Sequence, residues 1–183
     1  MLNRGKMIER KDVIEFKGRD VGVAGLDLQI GDQAQEFCAT NQEWREINIL
    51  QETARKVRII ASVPSLDTSV CDIETRRFNE AAASLGKDIS IIVISMDLPF
   101  AQQRWCGAAG VDQVMVVSDH KIADFGKKYS TLLIEPRVLR RAVFIVDPHN
   151  VIRYAKYMES LKEQPDYDEV LAEAKRVLFV NIK

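Results

Sequence analysis

Two runs of β-branched residues, "KVRIIASV" at positions 56–63 and "ISIIVISM" at 89–96, constrain this chain more than any other feature. Both are apolar at nearly every position rather than at alternate ones, the signature of strands buried on both faces. Between them, Phe78, Ala81, Ala82 and Leu85 recur at helical spacing, and Gly86 supplies a stop, so residues 70–85 are expected to form a helix. Strand, helix, strand in this order implies a right-handed parallel crossover.

The remaining segments fit around that unit. "VIEFKGRDVGVAG" reads as an N-terminal hairpin over about residues 13–25, turning at Lys17-Gly18-Arg19-Asp20, and "LQIGDQAQEFCAT" as an irregular lead-in. "EWREINILQE" is expected to be a half-buried strand. "PFAQQRWCGAAG" is a short helix opened by Pro99 and closed by Gly110, "VDQVMVVS" a further strand, and "IADFGKKY" a short helical segment. "RAVFIVDPHNVIRYAKYM" reads as a hairpin turning at 147–150, and "PDYDEVLAEAKRVL" as an amphipathic helix. At 183 residues the chain is expected to be one domain, 1–183. A mixed α/β sheet flanked by helices suits the pattern, although periodicity alone does not separate a thioredoxin-like fold from other small α/β folds.

Several functions are disfavoured by the same residues. The net charge is −1 and basic residues occur as pairs, Arg76 with Arg77 and Arg140 with Arg141, so no nucleic-acid surface is expected. No apolar run approaches the roughly 20 residues of a membrane span, and "MLNRGKMIERKDVIEF" lacks the apolar core of a secretory signal. A cytoplasmic, membrane-free location is the expectation. His120 and His149 show no ligand spacing, there is no Cys-x-x-Cys, and "GVAG" is too short for a phosphate loop. Neither a metal nor an organic cofactor is expected. Three cysteines are too few for a disulfide scaffold, so any disulfide should be transient.

One of those cysteines is placed unusually. In "VPSLDTSVCD", Asp67, Thr68 or Ser69 could cap the helix, which puts Cys71 in its first turn. Unpaired N–H groups and the helix dipole there favour a thiolate, the nucleophilic form of a side chain that titrates at about 8.5 when unperturbed. The competing reading is a plain buried cysteine, the commoner fate of a free thiol.

The string "VPSLDTSVCDIETRRFN" contains the Pro-x-x-x-Thr-x-x-Cys pattern and resembles the thiol peroxidase subfamily of peroxiredoxins, the atypical two-cysteine class. "SMDLPFAQQRWCGAAG", "RAVFIVD" and "PDYDEVLAEAK" extend the resemblance over most of the chain; Gln35 and Ser69 depart from the usual pattern. The resemblance implies a thioredoxin-like fold of the peroxiredoxin type. It also implies reduction of hydrogen peroxide and alkyl hydroperoxides through a sulfenic acid on Cys71. Thr68 would hydrogen-bond the thiolate and the peroxide, Pro64 would shield the site from water, and Arg141 would stabilise the charge. Cys106 would resolve the sulfenic acid as an intrachain disulfide, recycled by thioredoxin, in a homodimer. Arg140 competes with Arg141, but strand alternation sends the two to opposite faces and the pattern selects Arg141, leaving Arg140 as an expected exposed charge. Cys38 has no counterpart and is expected to be buried and structural. The alternative function is a redox sensor that uses the same cysteine pair to relay oxidation to a partner protein.

Overall fold

The computed structural model describes residues 8–181, the side chain of Asp12 excepted; residues 1–7, read above for their lack of an apolar leader, lie outside that range. The two β-branched runs form β5 (Val57–Ser62) and β6 (Ile89–Ser95), paired in parallel with Ile59 opposite Ile91 and Ala61 opposite Val93. The connecting helix α2 (Ser69–Leu85) starts one residue before the periodicity predicts, because Thr68 takes the N-cap. A strand β7 (Met115–Ser118) extends the sheet in parallel beyond β6. On the other side β10 (Ala142–Val146) lies antiparallel to β5, and β11 (Ile152–Tyr157) returns as its hairpin partner.

Alternate residues of these strands feed two apolar layers. Ile60, Ile92, Ile94, Val117 and Phe144 pack with Phe37, Phe125 and Tyr129, on the side of the short helices α1 (Ile49–Glu52) and α4 (Asp124–Lys128). Ile59, Ile91, Val143 and Ile145 pack with Phe78 of α2 and with Val170, Ala174 and Val177 of α5 (Tyr167–Asn181). A third helix, α3 (Pro99–Ala109), shares the α2 side, where Cys106 and Cys71 meet Val93 and Val116 in one apolar cluster. Truncating a fully buried residue such as Ile92 to alanine should cost about 2–5 kcal/mol. This is the mixed, helix-flanked sheet of a thioredoxin-like fold.

Four short strands lie where the sequence gives a different reading. β3 (Cys38–Thr40) arises within the stretch expected to be irregular and joins β7 through Thr40 opposite Ser118. Only Glu46–Asn48 of the expected half-buried strand is extended, as β4, before the chain turns into α1. The seven-stranded order is β11-β10-β5-β6-β7-β3-β4. The N-terminal hairpin consists of β1 (Glu9–Phe16) and β2 (Arg19–Ala24), beginning earlier than expected. Lys17 and Gly18 both adopt positive φ at its tip, as a two-residue hairpin turn requires. The hairpin is part of a second sheet, β1-β2-β8-β9, completed by β8 (Leu132–Leu133) and β9 (Val138–Leu139).

Candidate active site

The site forms where β5 ends and α2 begins. Val63 still donates its N–H to Ile94 at 3.0 Å, but Pro64 has no N–H to offer and the ladder stops there. The turn that follows closes with Thr68 N–H donating to the Ser65 carbonyl at 3.1 Å. Thr68 has extended backbone angles and caps α2, so Cys71 is the third helical residue, fully buried at the positive end of the helix. The Thr68 hydroxyl accepts from Cys71 N–H at 3.4 Å and donates to Cys71 Sγ at 2.7 Å. One side chain thus serves both the helix and the sulfur.

Arg141 arrives from the opposite direction, immediately before β10. Ala142 faces the α1 and α4 layer, so alternation turns Arg141 towards α2. Its Nη2 donates to Cys71 Sγ at 3.1 Å and to the Leu161 carbonyl at 3.2 Å, while Nη1 donates to Glu74 Oε2. Glu74 follows Cys71 by three residues on the buried face of α2 and has no solvent exposure. Burial pushes its carboxyl up to about 7 against the pull of Arg141. Burial acts to lower Arg141, but Glu74 and the Cys71 sulfur outweigh it and raise the guanidinium above its ordinary value. Glu74 Oε1 and Arg141 Nε find no partner among the described residues. Sequence reasoning missed Glu74, although its spacing from Cys71 and Phe78 places a carboxylate on the apolar face.

Arg140 corrects an expectation. It points away from Cys71, as alternation requires, yet it is buried rather than exposed. Its guanidinium lies 4.0 Å from the centroid of the Tyr157 ring, donates from Nε to the Ser130 carbonyl at 3.0 Å, and pairs with Asp27. Tyr157, Ser130 and Asp27 surround this side chain, and the ion pair makes its burial tolerable.

The other two cysteines differ from each other. Cys106, on α3, is buried; burial pushes its thiol up, opposed by the Gln42 amide that donates to its sulfur at 3.4 Å. Cys38 is half-buried, not fully buried as expected, because β3 lies near the sheet edge; desolvation first, then Glu46 and Asp124, raise its thiol. All three are free thiols. An open groove of about 1050 Å³ passes Pro64, Thr68 and Val70 and is walled by Phe16 of the hairpin and by Leu161. No group of three or more His, Cys, Asp or Glu side chains among the described residues could hold a metal ion, and no helix there is long and apolar enough to cross a membrane. The arrangement therefore presents a buried sulfur between a hydroxyl and a guanidinium, beside a groove through which a small oxidant could arrive.

Comparison with known proteins gives a consistent result. Residues 30–155 match the AhpC/TSA family. The thiol peroxidase of Oceanobacillus iheyensis is 43% identical over 159 residues, covering 87% of this chain and 96% of that protein. The thiol peroxidase of Bacillus subtilis is 42% identical over 165 residues, covering 90% and 98%. Among solved structures, a peroxiredoxin-like protein from Aquifex aeolicus superposes with a TM-score of 0.81 at 36% identity, over 94% of this chain and 99% of that one. A thiol peroxidase from Chromobacterium violaceum gives 0.77 at 18% identity over 92% and 96%, a likeness of fold.

Proposed function

Because the chain belongs to the AhpC/TSA family and to its thiol peroxidase group, it is an oxidoreductase that reduces peroxide with a thiol, and we propose that this thiol is Cys71. The observation that carries the reading is the double engagement of Cys71 Sγ by Thr68 and Arg141. The Cys71 thiolate attacks the terminal oxygen of RO–OH; the S–O bond forms as the O–O bond breaks. Sulfur is oxidised to the sulfenic acid, and RO⁻ leaves and takes a proton from water to become ROH. Negative charge moves from sulfur to the departing oxygen, and the fixed donors of Arg141 follow it without losing their own charge. Thr68 is free to turn its hydroxyl from sulfur to the incoming peroxide, and Pro64 keeps water from the sulfur. Hydrogen peroxide and alkyl hydroperoxides are both substrates in this reading, the latter favoured by the apolar walls of the groove.

Cys106 then condenses with the sulfenic acid: the S–S bond forms, the S–O bond breaks, and one water leaves with the thiol proton. Thioredoxin returns both cysteines to thiols by becoming a disulfide itself. Residues 1–183 act as one domain in the cytoplasm, and no cofactor takes part. Two copies pair, a reading supported by Trp44 and Phe100, which are 40% and 67% exposed with ring centroids 4.7 Å apart. The test is thioredoxin-coupled NADPH consumption with hydrogen peroxide and cumene hydroperoxide side by side. Cys71→Ser should abolish turnover with both, and Cys38→Ser should retain most of it; turnover surviving in Cys71→Ser would overturn the assignment.

A further inference from the structure

Outside the ring of groups that touch Cys71, one carboxylate joins both thiol-bearing segments. Asp97 lies between the end of β6 and the start of α3 and is only half-buried. Its Oδ1 accepts from the Ser65 hydroxyl at 2.8 Å. Its Oδ2 accepts from Leu66 N–H and from the Ser95 hydroxyl, both at 2.8 Å. Ser65 in turn accepts from Asp67 N–H at 3.3 Å and closes the turn onto Thr68, so this arm of the network ends at the residue that caps α2 and holds Cys71. The second arm runs the other way. Ser95 accepts from Gln102 Nε2 at 3.0 Å, and Gln102, fully buried, sits one helical turn before Cys106 on α3. A third contact fixes the carboxylate's own backbone, where Ser118 donates to the Asp97 carbonyl at 2.5 Å.

Each thiol also has partners that the other lacks. Cys71 Sγ is held by Thr68 and Arg141, and Cys106 Sγ by Gln42 from the connection between β3 and β4. A bond between the two sulfurs requires both to leave those partners, and the Asp97 network is present only while both segments stay in place. We propose that Asp97 is a positioning residue whose carboxylate ties the turn before Cys71 to the root of α3 and so sets how long the sulfenic acid persists before Cys106 reaches it. This rests on the reading that Cys71 and Cys106 form the disulfide. The step itself is Cys71–SOH plus Cys106–SH giving the disulfide and water; Asp97 touches neither sulfur and acts only through the turn and the helix.

Weakening the tie should move the two chemical steps in opposite directions. Sulfenic acid formation needs Thr68 and Arg141 in place and should slow, whereas closure needs release and should quicken. The experiment is a rapid-quench single turnover of the full-length protein with one equivalent of hydrogen peroxide, with the sulfenic acid trapped by dimedone and the disulfide counted by mass. Wild type is compared with Asp97→Asn, which keeps the shape and loses the charge, and with Ser65→Ala, which removes one partner and leaves Asp97 and α3 untouched. Closure should quicken about three- to tenfold in Ser65→Ala, the range for losing one ordinary net hydrogen bond, and in the same direction in Asp97→Asn. Both variants should also accumulate less sulfinic acid under excess peroxide. Equal slowing of both steps would mean loss of stability only and would overturn the inference. So would an unchanged closure rate in variants of a protein whose wild type forms the bond. If the wild type forms no bond between Cys71 and Cys106, the reading of Cys106 fails and this inference falls with it.

Discussion

At the scale of single residues, two adjacent arginines separate catalysis from packing. Arg141 donates to Cys71 Sγ, and losing one preorganised donor costs about 10²- to 10³-fold in rate. On the proposed reading Arg141→Met should therefore consume peroxide that much more slowly per folded molecule, and it should also lose stability because Glu74 is left buried without its partner. Arg140→Met should lose stability alone. It removes the partner of Asp27 and the cation over Tyr157, so its unfolding midpoint should fall while peroxide consumption per folded molecule stays near that of wild type. Stopped-flow peroxide consumption beside urea unfolding distinguishes the two, and a rate defect confined to Arg140→Met would transfer the catalytic role. Glu74 supplies a pH test. Its folded-state pKa of about 7 lies above the ordinary 4.5, so the folded protein holds this proton more tightly than the unfolded one. That contribution is fully present below about 4.5 and is lost as pH rises through about 7. Relative to Glu74→Gln, which cannot titrate, wild type should therefore lose unfolding free energy between pH 5 and 8, by a few kcal/mol; parallel curves would place the Glu74 pKa at its ordinary value. Pro64, Thr68, Cys71 and Arg141 are nameable from the sequence through the resemblance to a known family, whose pattern fixes their offsets; residues alone give only a strand end, a helix cap, a thiol in a first helical turn and one of two arginines. Glu74 and Asp97 are not nameable, since a carboxylate reveals its role only when its partners, Arg141 and Ser65, arrive from distant parts of the chain.

Secondary-structure elements divide in the same way. α2, β6 and the β10–β11 hairpin were legible because each is long enough to display a period and is bounded by its own stop signals, such as Gly86 and the turn at 147–150. β3, β4, β8 and β9 are two or three residues long, too short for alternation to register, and exist because of pairings such as Val23 with Leu133. The elements that matter to the chemistry are α2 and α3. They share one apolar cluster, and Arg76 of α2 reaches the Ala109 carbonyl at the end of α3 at 2.8 Å. On the proposed reading, disulfide closure would withdraw both cysteines from that cluster. Oxidised wild type should therefore lose hydrogen-exchange protection in the first turns of α2 and through α3, with β5, β6 and β10 unchanged. Cys106→Ser should reduce about one equivalent of peroxide, stop at the sulfenic acid and keep both helices protected. Retained protection throughout oxidised wild type would reject the rearrangement, and sustained thioredoxin-dependent turnover by Cys106→Ser would direct attention to Cys38.

For the molecule as a whole, the question is whether the hairpin sheet melts with the main sheet or apart from it. Its strands come from two distant parts of the sequence, since β8 and β9 lie between α4 and β10, so the hairpin cannot detach without unpairing Val23 from Leu133. The segment leaving the hairpin is also anchored. Ser130 donates its hydroxyl to the Leu26 carbonyl at 2.5 Å, Leu28 donates its N–H to the Tyr157 hydroxyl at 2.9 Å, and Asp27 joins Arg10 of β1 to Arg140 beside β10. Tyr157 belongs to β11, so these contacts tie the hairpin's exit to the edge of the main sheet. Because Leu139 of β9 also packs in the apolar layer of the main sheet and Asp27 and Leu28 are tied to Arg140 and Tyr157, melting should be cooperative. At roughly 0.7 kcal/mol per residue near 60 °C, a single unit of this length should unfold with an enthalpy of about 130 kcal/mol. Calorimetry of the reduced protein should give one peak with equal calorimetric and van't Hoff enthalpies, and far-UV circular dichroism and tryptophan fluorescence should change at the same midpoint. A smaller, earlier peak that moves down in Arg140→Met while the main peak stays in place would make the hairpin sheet a separate folding unit and divide the chain in two.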